Sequence, residues 1–342
     1  MLLLNMLSGR IESIHREFPR LKDNSIGDSA QREISIYQPP KQLTKSQNRL
    51  QSVYVLPGWG SRASKYLQNT QVFGESFLSL IERAMLESKL PPLILVFLDG
   101  ASRFGCHQYI DSAALGPNQT WIADDVTALV EERAPASPEP EDRIIYGHSS
   151  GGFGALWMGF QRPDRFRKIV CSAADSFFEL SILKEVPGAC AELEKAGGVE
   201  AFLEEFLKHP MPSALGSRSF LTMLLLSLAP CYAARPKTLP LHGEVFFDIK
   251  TGKIKQDIWE EYLKWDPARA VDLQDHSKLK QSYFVLDCGL QDEFAAQLGH
   301  RQIAESLQKH ALPHRLEEFH GRHSGNDWRV IQRLQWALRE CR

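Results

Sequence analysis

The ten residues RIIYGHSSGG, at positions 143–152, decide how this chain folds. The first four are typical of a buried strand, and FGALWM, at positions 153–158, continues from the glycines as an apolar helix. A sharp turn must then lie between strand and helix, with Ser149 at its apex. The glycines at 147, 151 and 152 give such a turn room, because a Cβ there would collide with the neighbouring strand or helix.

Further strand-like segments recur along the chain with helical spacing between them, at 33–37, 52–56, 93–98, 168–171 and 283–286. The first alternates polar with apolar residues, which predicts a half-exposed edge strand. The later ones are continuously apolar, as strands covered on both faces are. The pattern predicts an α/β fold: a mostly parallel central sheet flanked by helices, in one domain spanning 1–342.

The segment 176–279 does not continue this alternation of strands and helices. It contains helical stretches at 191–207 and 218–228 and a turn at Thr251-Gly252. We expect it to form a helical, cap-like insertion above the carboxyl edge of the sheet, where ligands of α/β folds bind.

Ser149 is a candidate nucleophile because GHSSG, at 147–151, has the pattern G-x-S-x-G between a strand and a helix. A serine hydroxyl needs a base to take its proton, and the base needs a carboxylate to orient it. In the α/β-hydrolase fold the acid and then the histidine follow the serine along the chain. His323 is the predicted base, since its segment follows the strand-like residues 315–319. His320 remains an alternative, and for either residue the other interpretation is a solvated loop histidine.

Asp292 is the predicted acid because it lies in the loop just past the strand at 283–286. Asp287 still belongs to the apolar run, and Glu293 is one residue further along the loop. Each carboxylate would therefore point in a different direction from the one required for a hydrogen bond to the imidazole. The alternative role for Asp292 is capping the helix expected over 294–311.

Two backbone N–H groups are predicted to hold a developing oxyanion. Ser150 would donate from the start of the helix after the turn, and Trp59 would donate from the loop PGWG, at 57–60, that follows an early strand. The indole of Trp59 would also form a wall of the substrate pocket, and His148, beside the serine, is a further predicted substrate-binding residue.

At these residues the sequence resembles the esterase family of the α/β-hydrolase superfamily that includes S-formylglutathione hydrolase (esterase D), feruloyl esterases, enterochelin esterases and mycobacterial mycolyltransferases. GHSSGGFGAL at 147–156 with RPDRF at 162–166 is similar to that family's turn and helix. The stretches at 287–292 and 321–324 look like its acid and histidine loops. The resemblance implies that Asp99, Tyr109 and Asp111 line the substrate cleft. Pro57 and Ser150 differ from the residues that are common at these positions in the family. Because both positions act mainly through their backbone, the differences bear on the preferred acceptor of the acyl group rather than on activity.

Composition bears on the binding partners and the cellular compartment that the protein can have. With 40 Lys and Arg against 42 Asp and Glu, the net charge of −2 gives no reason to expect a nucleic acid partner. The six cysteines are scattered, with no CxxC pair, which favours a reducing, cytoplasmic compartment. The apolar start at 1–7 is too short for a secretory signal, and the apolar run at 220–229 is far shorter than the ~20 residues of a membrane span.

The sequence therefore favours a serine esterase acting on a small-molecule carboxylic ester or thioester. We expect neither a cofactor nor a metal, and interpret His107, beside Cys106, as packing or cleft lining. Acyl transfer to an alcohol by the same residues is one alternative. A non-catalytic binding protein on the same fold is another, because fold alone does not imply function. The oligomeric state stays open, with a homodimer as one option.

Overall fold

A computed structural model describes residues 7–45, 48–68, 74–208 and 217–339. Residues 1–6 of the apolar start and Cys341 lie outside these ranges. The described residues form these strands: β1 (Arg10–Glu17), β2 (Gln31–Gln38), β3 (Gln51–Leu56), β4 (Leu93–Leu98), β5 (Asp111–Ser112), β6 (Gly116–Pro117), β7 (Arg143–His148), β8 (Lys168–Ser172), β9 (Tyr283–Gly289) and β10 (His314–Phe319).

Eight of the described strands form one sheet in the order β1-β2-β4-β3-β7-β8-β9-β10, and β5 pairs with β6 as a short separate ribbon. Neighbouring strands from β4 through β3 to β10 are parallel, whereas β2 is antiparallel to both β1 and β4. The predicted α/β fold with a mostly parallel sheet is therefore confirmed. Its carboxyl edge brings the ends of β3, β7, β8, β9 and β10 together.

The expected edge strand at 33–37 is not at the edge. It is part of β2, and β1 pairs along its whole length with Ile14 opposite Ile34. β1 was not predicted from the sequence, because its residues RIESIHRE are mostly polar and exposed. It shields the outer side of β2, so the edge prediction was wrong.

The described α-helices are α1 (Ser64–Leu67), α2 (Phe77–Leu86), α3 (Asn118–Thr120), α4 (Thr127–Arg133), α5 (Ser150–Gln161), α6 (Phe178–Ser181), α7 (Val186–Ala196), α8 (Val199–Lys208), α9 (Arg218–Ser227), α10 (Ala229–Tyr232), α11 (Gln256–Leu263), α12 (Pro267–Ala270), α13 (His276–Leu279), α14 (Ala296–Lys309) and α15 (Val330–Arg339). A π-helix, Trp121–Val126, joins α3 to α4. Short 3-10 helices lie at Pro19–Leu21, Lys41–Leu43, Pro140–Asp142, Leu183–Glu185, Val271–Leu273 and Asp327–Arg329. None of the helices in the described ranges is long and apolar enough to cross a membrane.

Both faces of the sheet are covered by apolar side chains. Along β3, Val53 and Val55 pack into one core cluster with residues of α2 and α15. Tyr54 and Leu56 belong to the other cluster, which includes residues of α5 and α14. This alternation follows from the twofold repeat of a strand, and it explains the continuous apolar runs in the sequence.

The chain between β8 and β9 is largely helical and contains α6 through α13. The helix expected at 191–207 is two helices, α7 and α8, because Gly197 and Gly198 adopt φ values of 90° and 124° that end α7. The expected turn at Thr251 is present, and Oδ1 of Asp248 accepts its N–H at 2.8 Å. Residues 209–216 of this segment lie outside the described ranges.

Candidate active site

The turn at Ser149 connects β7 to α5 and has a backbone conformation that few non-glycine residues adopt. Its φ is 58° and its N–H donates to the carbonyl oxygen of Ser172 on β8 at 2.9 Å. A Cβ on Gly147 would lie 1.9 Å from the carbonyl oxygen of Gly151, so the turn could not close around a larger residue. The predicted strand, sharp turn and helix are confirmed, and Ser149 sits at the carboxyl edge of the sheet.

Ser149, His323 and Asp292 lie in one chain of contacts. Nε2 of His323 is 3.0 Å from Oγ of Ser149, and Nδ1 of the same ring is 2.8 Å from Oδ2 of Asp292. The Asp292 side chain is fully buried and that of His323 is 8% exposed. The loops after β9 and β10 supply these two residues. The structure thus brings together the three residues that the sequence nominated for nucleophile, base and acid.

Asp292 uses its two oxygens for different purposes. Oδ2 faces His323, while Oδ1 accepts the N–H of Phe294 at 2.8 Å. Burial alone would raise the pKa of Asp292, but hydrogen bonds from His323 and from the N–H groups of Phe294 and Ala296 hold this pKa below its usual value. The backbone contacts that support the start of α14 therefore also keep the carboxylate ionised beside the histidine.

Glu293 fixes the histidine loop. Its carboxylate accepts the backbone N–H of His323 at 2.9 Å and pairs with the Arg322 guanidinium at 2.5 Å. The ring of Phe294 packs 4.6 Å from the His323 ring. By contrast, His320 is exposed at the end of β10. Of the two candidate histidines, the structure places His323 beside Ser149.

Asp287, which the sequence analysis set aside, has a different set of partners. It is fully buried and pairs with Arg329 at 2.8 Å and with Arg333, both from the C-terminal part of the chain. Arg333 also donates to the hydroxyl of Tyr146 on β7 at 2.8 Å. Asp287 therefore links the sheet to α15.

The loop after β3 approaches Ser149 closely. A Cβ on Gly58 would stand 3.2 Å from Cβ of Ser149, so a larger residue would make a tight contact with the serine. Trp59 follows, with its indole Nε1 donating to Oγ of Ser227 at 2.9 Å and its ring edge-on to Phe220 at 4.7 Å. The helical segment between β8 and β9 thereby fixes the indole.

A small pocket of about 50 Å³ opens at Ser149. The segment between β8 and β9 supplies much of its wall. The lining residues are Trp59, Ser149, Asp175, Ser181, Ile182, Phe220, Leu224, Leu228, Tyr232, Phe294 and His323.

Asp175 is the lining residue that the sequence analysis missed. Its Oδ2 accepts the hydroxyl proton of Ser150 at 2.7 Å, and the Gln108 amide donates to the same Ser150 oxygen at 3.1 Å. Burial raises the pKa of Asp175, against the lowering effect of the Ser150 hydrogen bond. The available signal was an acidic residue in the short stretch AADS, at 173–176, immediately after the strand next to β7.

The other predicted substrate-binding residues are not among those that line this pocket. His148 packs against the ring of His323 at 5.0 Å, and burial together with the charge of His323 lowers the pKa of His148 well below its usual value. Tyr109 is fully buried and donates to the carbonyl oxygen of Pro57 at 2.6 Å. A cleft-lining role for the Tyr109 side chain therefore finds no support in the structure.

The two predicted acidic cleft residues have partners within the protein, and Asp99 also lines a separate cavity. Asp99 accepts the N–H of Ala63 at 2.5 Å and pairs with Arg62 at 3.2 Å. Asp111 accepts the N–H of Thr120 at 3.0 Å, which caps the helical run that begins at α3. Both residues stabilise loops at this edge of the sheet.

His107 is fully buried, and its Nδ1 accepts the N–H of Tyr109 at 3.1 Å. This placement agrees with the packing role suggested for it. Within the described ranges, no group of three His, Cys, Asp or Glu side chains is arranged to hold a metal ion.

Solved structures with the same fold include several esterases. The chain superposes on a ferulic acid esterase with a TM-score of 0.61 at 14% identity, over 98% of this chain and 99% of the other. An S-formylglutathione hydrolase from Agrobacterium tumefaciens gives 0.56 at 15% identity, over 97% and 96%. The enterobactin esterase FES from Shigella flexneri gives 0.52 at 14% identity, over 96% of this chain and 59% of that one. At these identities the likeness shows the α/β-hydrolase fold.

Sequence comparison identifies the family. The profile of the family described as "Putative esterase" matches residues 28–332, and the chain belongs to this family of serine hydrolases. Iron(III) enterobactin esterase from Dickeya dadantii is 28% identical over 111 residues, which are 31% of this chain and 23% of that protein. The uncharacterized protein YbbA from Bacillus subtilis is 24% identical over 150 residues, 40% of this chain and 60% of that protein. The matched stretches thus span less than two thirds of either relative.

Proposed function

We propose that this esterase hydrolyses a carboxylic ester, or a thioester, through an acyl-enzyme on Ser149, with His323 as base and then acid and Asp292 as its orienting carboxylate. The observation that carries the proposal is the chain of contacts from Ser149 Oγ to His323 Nε2, at 3.0 Å, and from His323 Nδ1 to Asp292, at 2.8 Å. This arrangement supports proton transfer between serine and histidine.

In the first half of the reaction, the Ser149 hydroxyl gives its proton to Nε2 of His323 while Oγ attacks the carbonyl carbon. The π electrons move to the carbonyl oxygen, which the N–H groups of Trp59 and Ser150 would hold. Ser150 begins α5, whose positive dipole end also favours that charge. The C–O bond to the alcohol then breaks, and His323 protonates the departing oxygen.

In the second half, water attacks the acyl-enzyme as His323 takes its proton, and the acid leaves with Ser149 restored. Asp292 stays ionised and stabilises the imidazolium in both halves. The lowered pKa of Asp292 supports that role.

The experiment is hydrolysis of short p-nitrophenyl esters by Ser149→Ala. We expect kcat to fall by roughly 10⁴- to 10⁶-fold, because the triad acts as a unit. Ser324→Ala is a matched control, since Ser324 is an exposed serine next to His323 in sequence. Full activity in Ser149→Ala would overturn the proposal.

Acyl transfer would use the same residues with an alcohol in place of water in the second half. Product analysis with added alcohol acceptors separates the two, and exclusive release of free acid argues against transfer. If folded protein is not labelled at Ser149 by a fluorophosphonate, the non-catalytic alternative is favoured instead. A cytoplasmic location remains a prediction, supported by the free cysteines Cys106, Cys171, Cys190, Cys231 and Cys288.

A further inference from the structure

The pocket at Ser149 is lined largely by apolar side chains, and apart from Ser181, whose hydroxyl donates to the Phe177 carbonyl, two polar residues in the lining have no role in the proposed proton transfers. These residues are Asp175 and Tyr232. Isolated polar groups among apolar walls are the features that orient a bound molecule in small-molecule sites.

Asp175 is held in place by its own contacts. Oδ2 accepts the Ser150 hydroxyl at 2.7 Å, and that hydroxyl oxygen receives the Gln108 amide at 3.1 Å. Since Ser150 directly follows Ser149, these contacts fix the carboxylate relative to the nucleophile. A carboxylate offers several acceptor positions, and one hydrogen bond from Ser150 leaves acceptor capacity on Asp175.

Tyr232 is 3% exposed, and its hydroxyl is buried without a hydrogen-bond partner among the described residues. Its ring is fixed by stacking on Phe178 at 5.4 Å and on Trp265 at 6.1 Å. An unpaired buried hydroxyl destabilises a fold, so a native protein that keeps one calls for an explanation. Asp175 and Tyr232 are both lining residues of the pocket at Ser149.

We propose that Asp175 and Tyr232 together are a specificity site for a hydroxyl group on the portion of the ester that enters this pocket. The substrate hydroxyl donates to the Asp175 carboxylate and accepts from the phenol of Tyr232. This assignment rests on the proposed esterase function. Asp175 and Tyr232 bind the substrate and take no part in the proton transfers.

The chemistry of the two partners favours a hydroxyl over other polar groups. Tyr232 needs an acceptor and Asp175 needs a donor, and a hydroxyl is both in one atom. An ammonium can only donate, so it would leave the Tyr232 hydroxyl unpaired. An amide offers a donor and an acceptor only on two separate atoms, and the pocket is small, at about 50 Å³. The expected substrate therefore carries a short, hydroxylated group.

The test uses two matched pairs of esters. The acyl pair is p-nitrophenyl 3-hydroxybutyrate against p-nitrophenyl butyrate, and the alcohol pair is 2-hydroxyethyl butyrate against ethyl butyrate. For each pair the measured quantity is the ratio of kcat/KM with the hydroxyl to kcat/KM without it. We expect wild-type protein to prefer the hydroxylated ester roughly ten- to a hundredfold in one of the pairs, because hydrogen bonds to charged groups discriminate to that extent.

Two variants remove the polar partners at constant shape. Tyr232→Phe and Asp175→Asn should each reduce the preferred ratio toward one. Tyr262→Phe is the control: its ring lies 5.5 Å from that of Tyr232, and its hydroxyl donates to the Glu244 carbonyl outside the pocket lining. This variant should keep the wild-type ratio.

The inference is overturned if neither pair shows a preference in wild-type protein, if the preference survives both variants, or if p-nitrophenyl 3-aminobutyrate is preferred to the hydroxy ester. Failure of the proposed function has a different signature. In that case wild-type protein would hydrolyse none of the four esters of the two pairs and would not react with a fluorophosphonate at Ser149.

Discussion

The phenolic hydroxyl of Tyr109 donates a 2.6 Å hydrogen bond to the carbonyl oxygen of Pro57. Pro57 directly precedes Gly58 and Trp59, so this bond anchors the loop that carries the proposed oxyanion donor. Tyr109 is itself buried, with a φ of 58°. Its contribution to the site is therefore to position the loop rather than to contact a substrate.

We predict that Tyr109→Phe lowers kcat about tenfold with little change in KM, because a loosened loop weakens oxyanion stabilisation more than substrate binding. The free energy of unfolding should fall by about 1 kcal/mol, the usual net value of one hydrogen bond. Tyr37→Phe is a matched control, since the Tyr37 hydroxyl donates to Glu82 at 2.7 Å in a buried position outside the pocket lining. It should lose stability and keep kcat. Equal kcat values in the two variants would contradict the positioning role.

Asp287, in β9, and Asp292, in the loop after it, should differ in what they support. Asp292→Asn should lower kcat by about 10⁴-fold, since the amide favours the wrong histidine tautomer. Asp287→Asn should instead lower the free energy of unfolding by about 3 to 5 kcal/mol, because it leaves Arg329 and Arg333 buried without their counter-charge. Steady-state kinetics and urea denaturation of both variants provide the check. The assignment fails if Asp287→Asn, while still folded, shows the larger loss of kcat.

The two histidines of the last loop offer a similar contrast. His323→Ala removes the ring beside Ser149 and should abolish measurable ester hydrolysis, whereas His320→Ala alters an exposed side chain and should keep wild-type kcat. Circular dichroism of both variants controls for folding. Loss of activity in His320→Ala alone would make His320 the base instead.

Buried histidines should make stability depend on pH. Burial lowers the pKa of His300 to about 4, and its Nε2 accepts the N–H of Ala174 at 3.0 Å. In the unfolded chain this pKa is about 6.5. Between these values only the unfolded state binds the proton, so the free energy of unfolding should fall as pH falls, by about 1.4 kcal/mol per pH unit for this group. Above pH 6.5, and below pH 4, His300 should contribute no slope.

His300→Gln tests this dependence, because its amide oxygen can still accept the Ala174 N–H but has no basic nitrogen. Urea denaturation at several pH values between 4 and 6.5 should show a shallower slope for the variant. An unchanged slope would mean that His300 is not the group taking up the proton.

Local signals explain what the sequence could predict. The turn at Ser149 depends on neighbouring glycines, and Asp292 and His323 each follow a recognisable strand, so chain order pointed to the two loops that contain them. It left His320 open as an alternative to His323. β1 was missed because an exposed, polar strand carries little apolar periodicity. Tyr109 and Asp99 were assigned to the cleft by resemblance, yet their partners Pro57 and Ala63 come from a distant part of the chain.

Asp175 could not be predicted for the same reason: its partners are distant in sequence. Its partner Ser150 is 25 residues away, and its neighbour in the pocket, Tyr232, belongs to the helical segment between β8 and β9. Neither contact leaves a motif in the sequence. Contacts that depend on tertiary packing become visible only once the sheet edge and that helical segment are assembled.

The most direct measurement of the central claim is the mass of the acyl-enzyme. Asp292→Asn, which should slow turnover, is mixed with p-nitrophenyl butyrate, quenched in acid, and mapped by peptide mass spectrometry. We predict one butyryl group on the peptide containing Ser149 and none in the Ser149→Ala, Asp292→Asn double variant. A butyryl group on another residue, or burst release of p-nitrophenol without an adduct on Ser149, would contradict the account.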